Sequence, residues 1–479
     1  MQKGAVTKMI DLKKYQEAMK KLPEGAKEAE VNAETHDVVM VTVSGGKLLD
    51  VQCASQTALF VRVSGEKTGY VYTQDLEEDA GEVLKRAYEN SAFSDKEKPE
   101  TMNRLEKVEN YGDEIAITDA ALLKEKADRM AKALEEGMAS GIQEKLADRY
   151  SKEIVEEACA TIRVTARYKA ETYGQHIVNS YGLDSNTAKP VYILSLNGEM
   201  QWKGAPVCVV LELACGEPED FDLNYGANNL ADRICWQLDP EKKFASGDYP
   251  VILSDEAVYT LFATAWQEFS ACKYVDKASQ LAGMFGERLA GEALSIVDDP
   301  DLNGKGFPMF CDAEGSAGRR VTLLDHGVFT GMLHNTLSAE TLTLENTGNA
   351  GRRPLLFGNI ATDILVTPKN FCFQPGTASL QELEEHMGDG ILITEYMDVF
   401  HTLDVSSGEF SAPCFGVRIE NGKETENLTA LTVSGNFKEM LAGVLEVGKD
   451  NALRPMVDLE NYGIAPCALR VAKLNVSGE

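Results

Sequence analysis

Apolar and polar residues alternate along two consecutive stretches near the amino end of the chain, 38–53 and 58–73. A period of two is typical of strands with one buried face. Gly45-Gly46 and Gly65 stand near the middle of these stretches, where a tight turn needs residues that accept unusual backbone angles. The pattern therefore predicts two β-hairpins.

Helical periodicity follows in two segments, 75–93 and 119–138. Acidic residues crowd the start of the first segment and basic residues come later, which suits the helix dipole. Beyond them, the stretches 190–200 and 206–217 are rich in apolar and β-branched residues and predict strands, with Asn197-Gly198 as one turn. The first half is thus expected to combine hairpins and helices.

The second half opens with a helix predicted over EAVYTLFATAWQEFSAC, residues 256–272. Its apolar positions recur at the helical period, and Ser254 stands where it can cap the first turn. Downstream, hairpins are predicted to turn at His326-Gly327 and at Asn421-Gly422. This half therefore contains more predicted strand than the first.

The length of 479 residues favours two domains, because single hydrophobic cores rarely span more than about 250–300 residues. The polar, glycine-containing segment around 240–250 is the predicted boundary. We expect an N-terminal α/β domain over 1–240, with a possible sub-boundary near 100–118, and a β-rich C-terminal domain over 245–479. The predicted fold class is α+β with mostly antiparallel strands.

Charge and composition narrow the class of protein. The net charge of −29 disfavours direct binding of nucleic acid, whose phosphates an acidic surface repels. No apolar run approaches the roughly 18 residues of a membrane helix, and the amino end does not resemble an export signal. Ten cysteines without a CxxC pair are expected to be mostly reduced. A cytoplasmic location is the expectation.

Common catalytic motifs are missing. The six histidines stand at 36, 176, 326, 334, 386 and 401, so none has another within four residues to form a helical zinc-binding pair. There is no GxSxG elbow and no P-loop. Two weaker possibilities stay open: Cys467 as a thiol nucleophile, and a cation near His401, which stands between Asp398 and Asp404.

Two glycine-rich segments, 312–320 and 345–354, each carry a pair of arginines. Glycine allows close approach of the backbone to a ligand, and guanidinium groups hold carboxylates with two hydrogen bonds. The loops could hold a peptide carboxylate, or their arginines could pair with the protein's own excess of acidic residues. The candidate substrate- or partner-binding residues are Arg319, Arg320, Asn349, Arg352 and Arg353.

Several segments, taken in order, resemble the TldD/PmbA family, also called modulators of DNA gyrase. The matching pieces are ALFVRVSGEKTGYVYTQDL, IVNSYGLDSN, DAEGSAGRRVTLLDHGVFTGMLHN, TGNAGRRP, IENGK with LTVSGN, and VGKD before the cysteine-bearing final strand. Together they extend over nearly the whole chain. The resemblance implies a two-domain protein with a β-rich carboxy-terminal domain, associated as a dimer and involved in intracellular peptide processing and proteolysis.

The family has a TldD-like branch, in which a helix carries HExxxH and a distant cysteine completes a zinc site. Zinc lowers the pKa of its bound water toward about 7 and so prepares it to attack a peptide bond. In this chain the matching window is FATAWQ, residues 262–267, with Phe262 and Gln267 in place of the histidines and Ala263 in place of the glutamate. Cys467 matches the cysteine. These four are degenerate metal-site positions, and the pattern resembles the PmbA/TldE-like branch.

The resemblance therefore implies no catalytic residues and no metal or other cofactor in this chain, with zinc expected only in a TldD-like partner. The expected function is that of a PmbA/TldE-like subunit of a TldD/TldE-type zinc metallopeptidase acting on peptide or unfolded protein. The alternative is a homodimeric, non-catalytic protein that binds peptides. A further alternative, hydrolysis through Cys467 or a cation near His401, also remains to be tested.

Overall fold

The computed structural model describes residues 10–94, 99–104, 119–217, 221–241, 243–302, 304–352, 364–397, 403–456 and 459–478, with only the backbone of 459–461. Arg353, His401 and most of the predicted sub-boundary near 100–118 lie outside these ranges.

One antiparallel sheet organises the first half. Its strands are β1 (Glu28–Ser44), β2 (Lys47–Ser64), β3 (Thr68–Thr73), β4 (Arg163–Asn179), β5 (Asp184–Trp202) and β6 (Ala205–Cys215), in the order β3-β2-β1-β4-β5-β6. Both predicted hairpins are confirmed: β1 and β2 turn at Gly45-Gly46, and β2 and β3 turn around Gly65. The long neighbours β1 and β4 form the centre of the sheet.

Among the described residues, five helices accompany this sheet: α1 (Lys13–Met19), α2 (Ala80–Asn90), α3 (Ala120–Leu146), α4 (Lys152–Cys159) and α5 (Leu223–Cys235). The two predicted helices correspond to α2 and α3. Asp79 and Asp119 cap them, each accepting a backbone N–H of the first turn. The apolar side of α3 packs with α5 on the sheet, in a core that includes Leu134, Met138 and Leu230.

The predicted turn at Asn197-Gly198 is wrong. Both residues lie inside β5, and the chain turns instead at Lys203-Gly204, where both residues have positive φ angles of 50° and 83°. A Cβ on Gly198 would stand 3.3 Å from the sulfur of Met138 and 3.4 Å from Leu230. Gly198 therefore allows the helices to approach the sheet closely. From one sequence, a glycine needed for such an approach cannot be distinguished from a glycine needed for a turn.

The second half contains two larger sheets and a small one. The strands are β7 (Gly247–Leu253), β8 (Ile296–Asp299), β9 (Val321–Asp325), β10 (Val328–Phe329), β11 (Ala350–Gly351), β12 (Leu365–Val366), β13 (Asn370–Phe373), β14 (Gly390–Tyr396), β15 (Glu409–Glu420), β16 (Lys423–Asn436), β17 (Val444–Val447), β18 (Arg454–Met456), β19 (Leu459–Ala465) and β20 (Leu469–Ser477). One sheet has the order β10-β9-β8-β13-β19-β18, another has β16-β15-β14-β7-β20-β17, and β11 pairs with β12.

In the last large sheet, β16 also pairs with β20, so that β7, β14, β15, β16 and β20 close into a ring. Most pairings are antiparallel, as predicted, and two are parallel: β7 with β14, and β13 with β19. The predicted hairpins at His326-Gly327 and Asn421-Gly422 are confirmed, with positive φ at all four residues. The α+β class is therefore correct, and the predicted domain limits of 1–240 and 245–479 stay a prediction.

The part of this half that the structure describes contains five helices: α6 (Asp255–Ala265), α7 (Ala271–Val275), α8 (Thr336–Leu342), α9 (Leu380–Met387) and α10 (Phe437–Ala442). The helix predicted over 256–272 is shorter than expected. Ser254 caps α6 through the N–H of Ala257, but the chain then tightens into a 3₁₀ turn at Trp266–Phe269 before α7 begins. Almost all of α6 is buried, so its end is set by packing on every side rather than by one apolar face.

A buried ion cluster joins the two halves. Arg62 of β2 donates two hydrogen bonds to Glu30 of β1, at 2.9 and 3.1 Å, and one each to Glu100, at 3.2 Å, and Glu314, at 3.1 Å. All four side chains are at least 95% buried. Because Glu314 belongs to the first glycine-rich loop, this cluster holds that loop against the first sheet.

We expect the Arg62→Met variant to lose about 3–5 kcal/mol of unfolding free energy, because three buried carboxylates lose their common cation. Urea unfolding followed by tryptophan fluorescence measures the loss. Arg86→Met is the matched control, since Arg86 pairs with Glu78 in a more exposed position and its loss should cost less than about 1 kcal/mol. Equal effects of the two substitutions would contradict the assignment.

Candidate functional site

Phe262, which stands where the first motif histidine would be, lies in an aromatic cluster. Its ring is fully buried, with ring centroids 5.9 Å from Phe371, 4.8 Å from Phe373 and 5.5 Å from Phe437. Such edge-on and tilted contacts are the favoured geometry between aromatic rings. The start of the motif window is therefore occupied by hydrocarbon core.

Cys467 lies beside the same cluster. Its Sγ is 4.0 Å from the carbonyl oxygen of Phe373, the residue whose ring packs on Phe262. Burial raises the pKa of the Cys467 thiol, and the nearby Asp255 raises it further, so the thiolate is disfavoured. The fold thus brings Phe262 and Cys467 close to a common residue, as the resemblance implies, but in a form unsuited to nucleophilic or metal-binding chemistry.

The other two motif positions have different surroundings. Ala263 is half-buried and offers no polar group. Gln267, in the 3₁₀ turn, lines a cleft of about 530 Å³ together with Trp266, Cys272 and Glu314. We call this the Gln267 cleft. The structure therefore does not gather the four degenerate positions into one site.

Glu268 is the carboxylate next to this window, and it is fully buried. Ser279 donates a short hydrogen bond to its Oε2, and Gln280 lies 3.4 Å from Oε1. Burial raises the pKa of Glu268 from 4.5 to about 7, because the loss of water outweighs these bonds. The carboxyl group connects the 3₁₀ turn to the segment that follows α7, which is a structural role.

Within the described ranges, no three His, Cys, Asp or Glu side chains gather in a way that could hold a metal ion. The residues around His401 lie outside those ranges, so the predicted cation position there is not tested. In the same ranges no helix is long and apolar enough to span a membrane. All ten cysteines are described, and each is a free thiol, as expected.

The arginines of the first glycine-rich loop pair with neighbouring acids. Arg319 donates to Glu345 at 3.0 Å and Arg320 to Asp299 at 3.1 Å, and both guanidinium groups are partly exposed. These contacts agree with the alternative that the arginines balance the protein's own acidic residues.

Asn349 is buried, with 1% of its surface exposed. It donates to Asp298 at 2.7 Å and to the carbonyl of Thr367 at 2.9 Å, and it accepts from Lys369 Nζ at 2.9 Å. The prediction of a binding role for Asn349 has no geometric support, because its amide is engaged inside the protein.

Arg352 differs from the other arginines because it lines a cleft between the two halves. The lining side chains used below are Glu34, Tyr173, Lys189, Met309, Arg352 and Tyr462, and we call the space the Lys189 cleft. Its cavity volume is about 100 Å³. Strands β1, β4 and β5 form one wall, and residues 308–313, 350–352 and Tyr462 form the other.

Lys189 projects into this cleft from β5. Its Nζ lies 5.7 Å from the ring centroids of Tyr173 and Tyr462 and contacts the sulfur of Met309. Burial lowers the pKa of Lys189 to about 7, and the carboxylates Glu34 and Glu171 offset only part of that shift. A lysine with such a pKa in a cleft is a candidate binding or catalytic group.

The glycine-rich loop shapes the far wall through Asp312. This buried carboxylate accepts hydrogen bonds from the backbone N–H groups of Glu314, Ser316 and Ala350 at 2.8–2.9 Å. Burial and the adjacent Glu314 raise its pKa. Because Ala350 belongs to the second glycine-rich loop, Asp312 connects the two loops.

Sequence reasoning missed Lys189, Glu34 and Tyr462. None of the three stands in a motif, and they are far apart in sequence. The one available signal was Arg352, which was selected as a candidate because its loop is rich in glycine and the chain is short of positive charge, and its binding role stays a prediction.

Comparison with known proteins assigns the class. Residues 246–478 match the family model of the PmbA/TldA metallopeptidase C-terminal domain. These residues therefore form a PmbA/TldD family domain, as the sequence motifs predicted.

Curated relatives agree with this family. A metalloprotease of Methanothermobacter thermautotrophicus is 33% identical over 36% of this chain and 36% of its own length. A PmbA metalloprotease homologue of Buchnera aphidicola is 26% identical over 64% of this chain and 67% of its own length. The matched regions thus span between about a third and two thirds of these relatives.

Solved structures share the fold. A Thermotoga maritima protein, described as a candidate modulator of a DNA gyrase, superimposes with a TM-score of 0.71 at 23% identity, covering 98% of this chain and 100% of that one. TldE from Thermococcus kodakarensis gives a TM-score of 0.71 at 19% identity, over 94% and 97%. At these identities the likeness concerns the arrangement of the backbone.

We expect Cys467 to be unreactive in the folded protein, because its thiol is buried and its thiolate is disfavoured. Ellman's reagent added to the native protein should first modify Cys53 and Cys208, which are exposed. Cys467 should react only after unfolding in guanidinium. Peptide mapping by mass spectrometry identifies the modified sites, and early modification of Cys467 would show that this thiol is accessible.

We expect Glu268→Gln to change how stability depends on pH. The pKa of Glu268 is higher in the folded protein than in the unfolded chain, so its stabilising contribution is complete below about pH 4.5 and declines as pH rises to about 7. The glutamine side chain of the variant does not titrate, so its contribution to stability does not decline as the pH rises. The variant should therefore gain about 2–3 kcal/mol relative to the unsubstituted protein between pH 5 and pH 8, as measured by urea unfolding.

Glu345→Gln is the control for this experiment, because the side chain of Glu345 is 81% exposed. Its effect on unfolding free energy should be small at both pH values. A pH-independent difference between Glu268→Gln and the unsubstituted protein would contradict the assigned pKa.

Proposed function

We propose that this chain is a PmbA/TldE-like subunit of a TldD/TldE-type zinc metallopeptidase that processes peptides or unfolded protein in the cytoplasm. In this proposal the chain holds no zinc, and a TldD-like partner supplies the metal. The family domain over residues 246–478 and the fold shared with TldE support the assignment.

The observation that carries the proposal is the state of the motif helix. Phe262 fills the first ligand position with a ring enclosed by Phe371, Phe373 and Phe437, while Gln267 lines a separate cleft. Zinc in a peptidase needs three protein ligands of the His, Cys or carboxylate type. Cys467 alone cannot provide them, and its buried thiol does not favour the required thiolate.

The packing of the region suggests what the chain contributes instead. The helix α6 is packed on β7 and β14 inside the largest core of the molecule, so it supports the surrounding surfaces as a rigid element. The Lys189 cleft and the Gln267 cleft both open beside this scaffold. We therefore assign the chain a role in shaping and holding substrate rather than in cleaving it.

The test combines metal analysis with a peptidase assay. The purified chain alone should contain less than stoichiometric zinc and should not cleave unfolded casein or short peptides. Addition of a TldD-like subunit from the same source should produce cleavage above that of either subunit alone. A partner whose HExxxH glutamate is replaced by glutamine serves as the control and should remain inactive in the mixture.

Tight stoichiometric zinc in the chain alone, with autonomous cleavage, would overturn the proposal. Peptide binding without cleavage in every combination, together with a homodimer in solution, would instead favour the alternative of a non-catalytic peptide-binding protein. Replacement of Cys467 by alanine should leave the cleavage by the mixed subunits unchanged.

A further inference from the structure

We propose that the Lys189 cleft binds the free carboxylate at the end of a peptide, with Arg352 and Lys189 as its donors. This inference rests on the proposed function, since it names the part of the peptide substrate that this subunit holds. Three features of the cleft support it: a buried donor, internally bonded acids and an apolar wall.

The buried donor is the Nε of Arg352. The guanidinium group donates from Nη1 to Glu34 at 3.0 Å and lies 4.5 Å from the ring centroid of Phe60, with 8% of the side chain exposed. Its Nε is buried and has no hydrogen-bond partner among the described residues. A buried N–H that lacks an acceptor is unfavourable, and a ligand oxygen would satisfy it after a shift of the surrounding side chains, because this atom is not accessible to water in the free protein.

The acids of the cleft already have partners within the protein. Oε1 of Glu34 accepts from both Asn32, at 2.9 Å, and Arg352, at 3.0 Å. Asp312 accepts three backbone N–H groups from the two glycine-rich loops. Because these carboxylates serve internal bonds, the cleft is better suited to a ligand that brings acceptors than to one that brings donors.

Lys189 adds a charge that depends on the ligand. Its amine stands between Tyr173 and Tyr462, and the carboxylates whose charge reaches it are Glu34 and Glu171. With a pKa of about 7, the amine is mostly neutral at pH 8 in the free protein. A carboxylate bound beside it would favour the ammonium form, so binding at pH 8 takes up a proton.

The remaining wall is apolar. The rings of Tyr173 and Tyr462 and the side chain of Met309 face the same space, whose volume of about 100 Å³ has room for a terminal carboxylate and part of the side chain next to it. The ligand class is therefore a peptide with a free carboxyl end and an apolar last residue.

The experiment compares two probes on the full chain without any partner subunit. One is a fluorescein-labelled pentapeptide that ends in leucine with a free carboxylate, and the other is the same peptide with a terminal amide. Fluorescence anisotropy should show at least about tenfold tighter binding of the carboxylate form, because charge-assisted hydrogen bonds are lost in the amide. Equal affinity for the two probes would overturn the inference.

Variants locate the donors. Arg352→Gln and Lys189→Met should each weaken binding of the carboxylate probe about tenfold to hundredfold. Arg418→Gln is the matched control, since Arg418 pairs with Glu426 at 2.9 Å and does not line the cleft, so this variant should bind as the unsubstituted chain does. Unchanged binding by both cleft variants would place the carboxylate elsewhere and reject the proposal.

Calorimetry in two buffers of different ionisation enthalpy gives a readout that does not depend on affinity. At pH 8 the unsubstituted chain should take up about one proton on binding, and Lys189→Met should take up close to none. Should Arg352→Gln fail to fold, as judged by circular dichroism, Lys189→Met and this proton count still decide the matter. The zinc and cleavage assays are separate, so failure of this inference would leave their outcome unaffected.

Discussion

The buried charge of Arg62 is the constraint on which the arrangement of the two halves depends. A guanidinium removed from water must be surrounded by hydrogen-bond acceptors. The acceptors for Arg62 are the carboxylates of Glu30 in β1, Glu100, and Glu314 in the first glycine-rich loop. That loop is thereby held against the first sheet. Asp312, two residues before Glu314, then binds backbone N–H groups of both glycine-rich loops, which completes the far wall of the Lys189 cleft.

The helix that the resemblance aligns with HExxxH is held in place by packing. Helix α6 is capped by Ser254 and packs on β7 and β14, and Cys467 Sγ lies 4.0 Å from the carbonyl oxygen of Phe373, whose ring packs on Phe262. By the resemblance, the two histidine positions hold an aromatic ring and an amide, and the glutamate position holds a methyl group. Packing alone is sufficient to preserve such an element, because removal of a buried aromatic side chain costs several kcal/mol whatever its catalytic value.

Local signals predicted the secondary structure well where the turn chemistry was strong, as at Gly45-Gly46 and Asn421-Gly422. They failed at Asn197-Gly198, where glycine leaves room for the helices that pack on the face of the sheet. They also failed at the end of α6, where packing decides the boundary. For the site, the sequence indicated Arg352 but also Arg319, Arg320 and Asn349, which pair within the protein. Spacing reveals which residues carry charge, but not which of them meet a cleft.

The amino-acid sequence by itself determined the absence of an HExxxH pair, the acidic character of the chain, the main hairpins and helices, and the family, since these depend on residue type and local order. Only the tertiary structure decided that Lys189, Glu34, Arg352 and Tyr462 share one cleft, and that burial there lowers the pKa of Lys189 to about 7. Those properties arise from burial and from charges brought together across more than 300 residues of chain, and neither is encoded in local spacing.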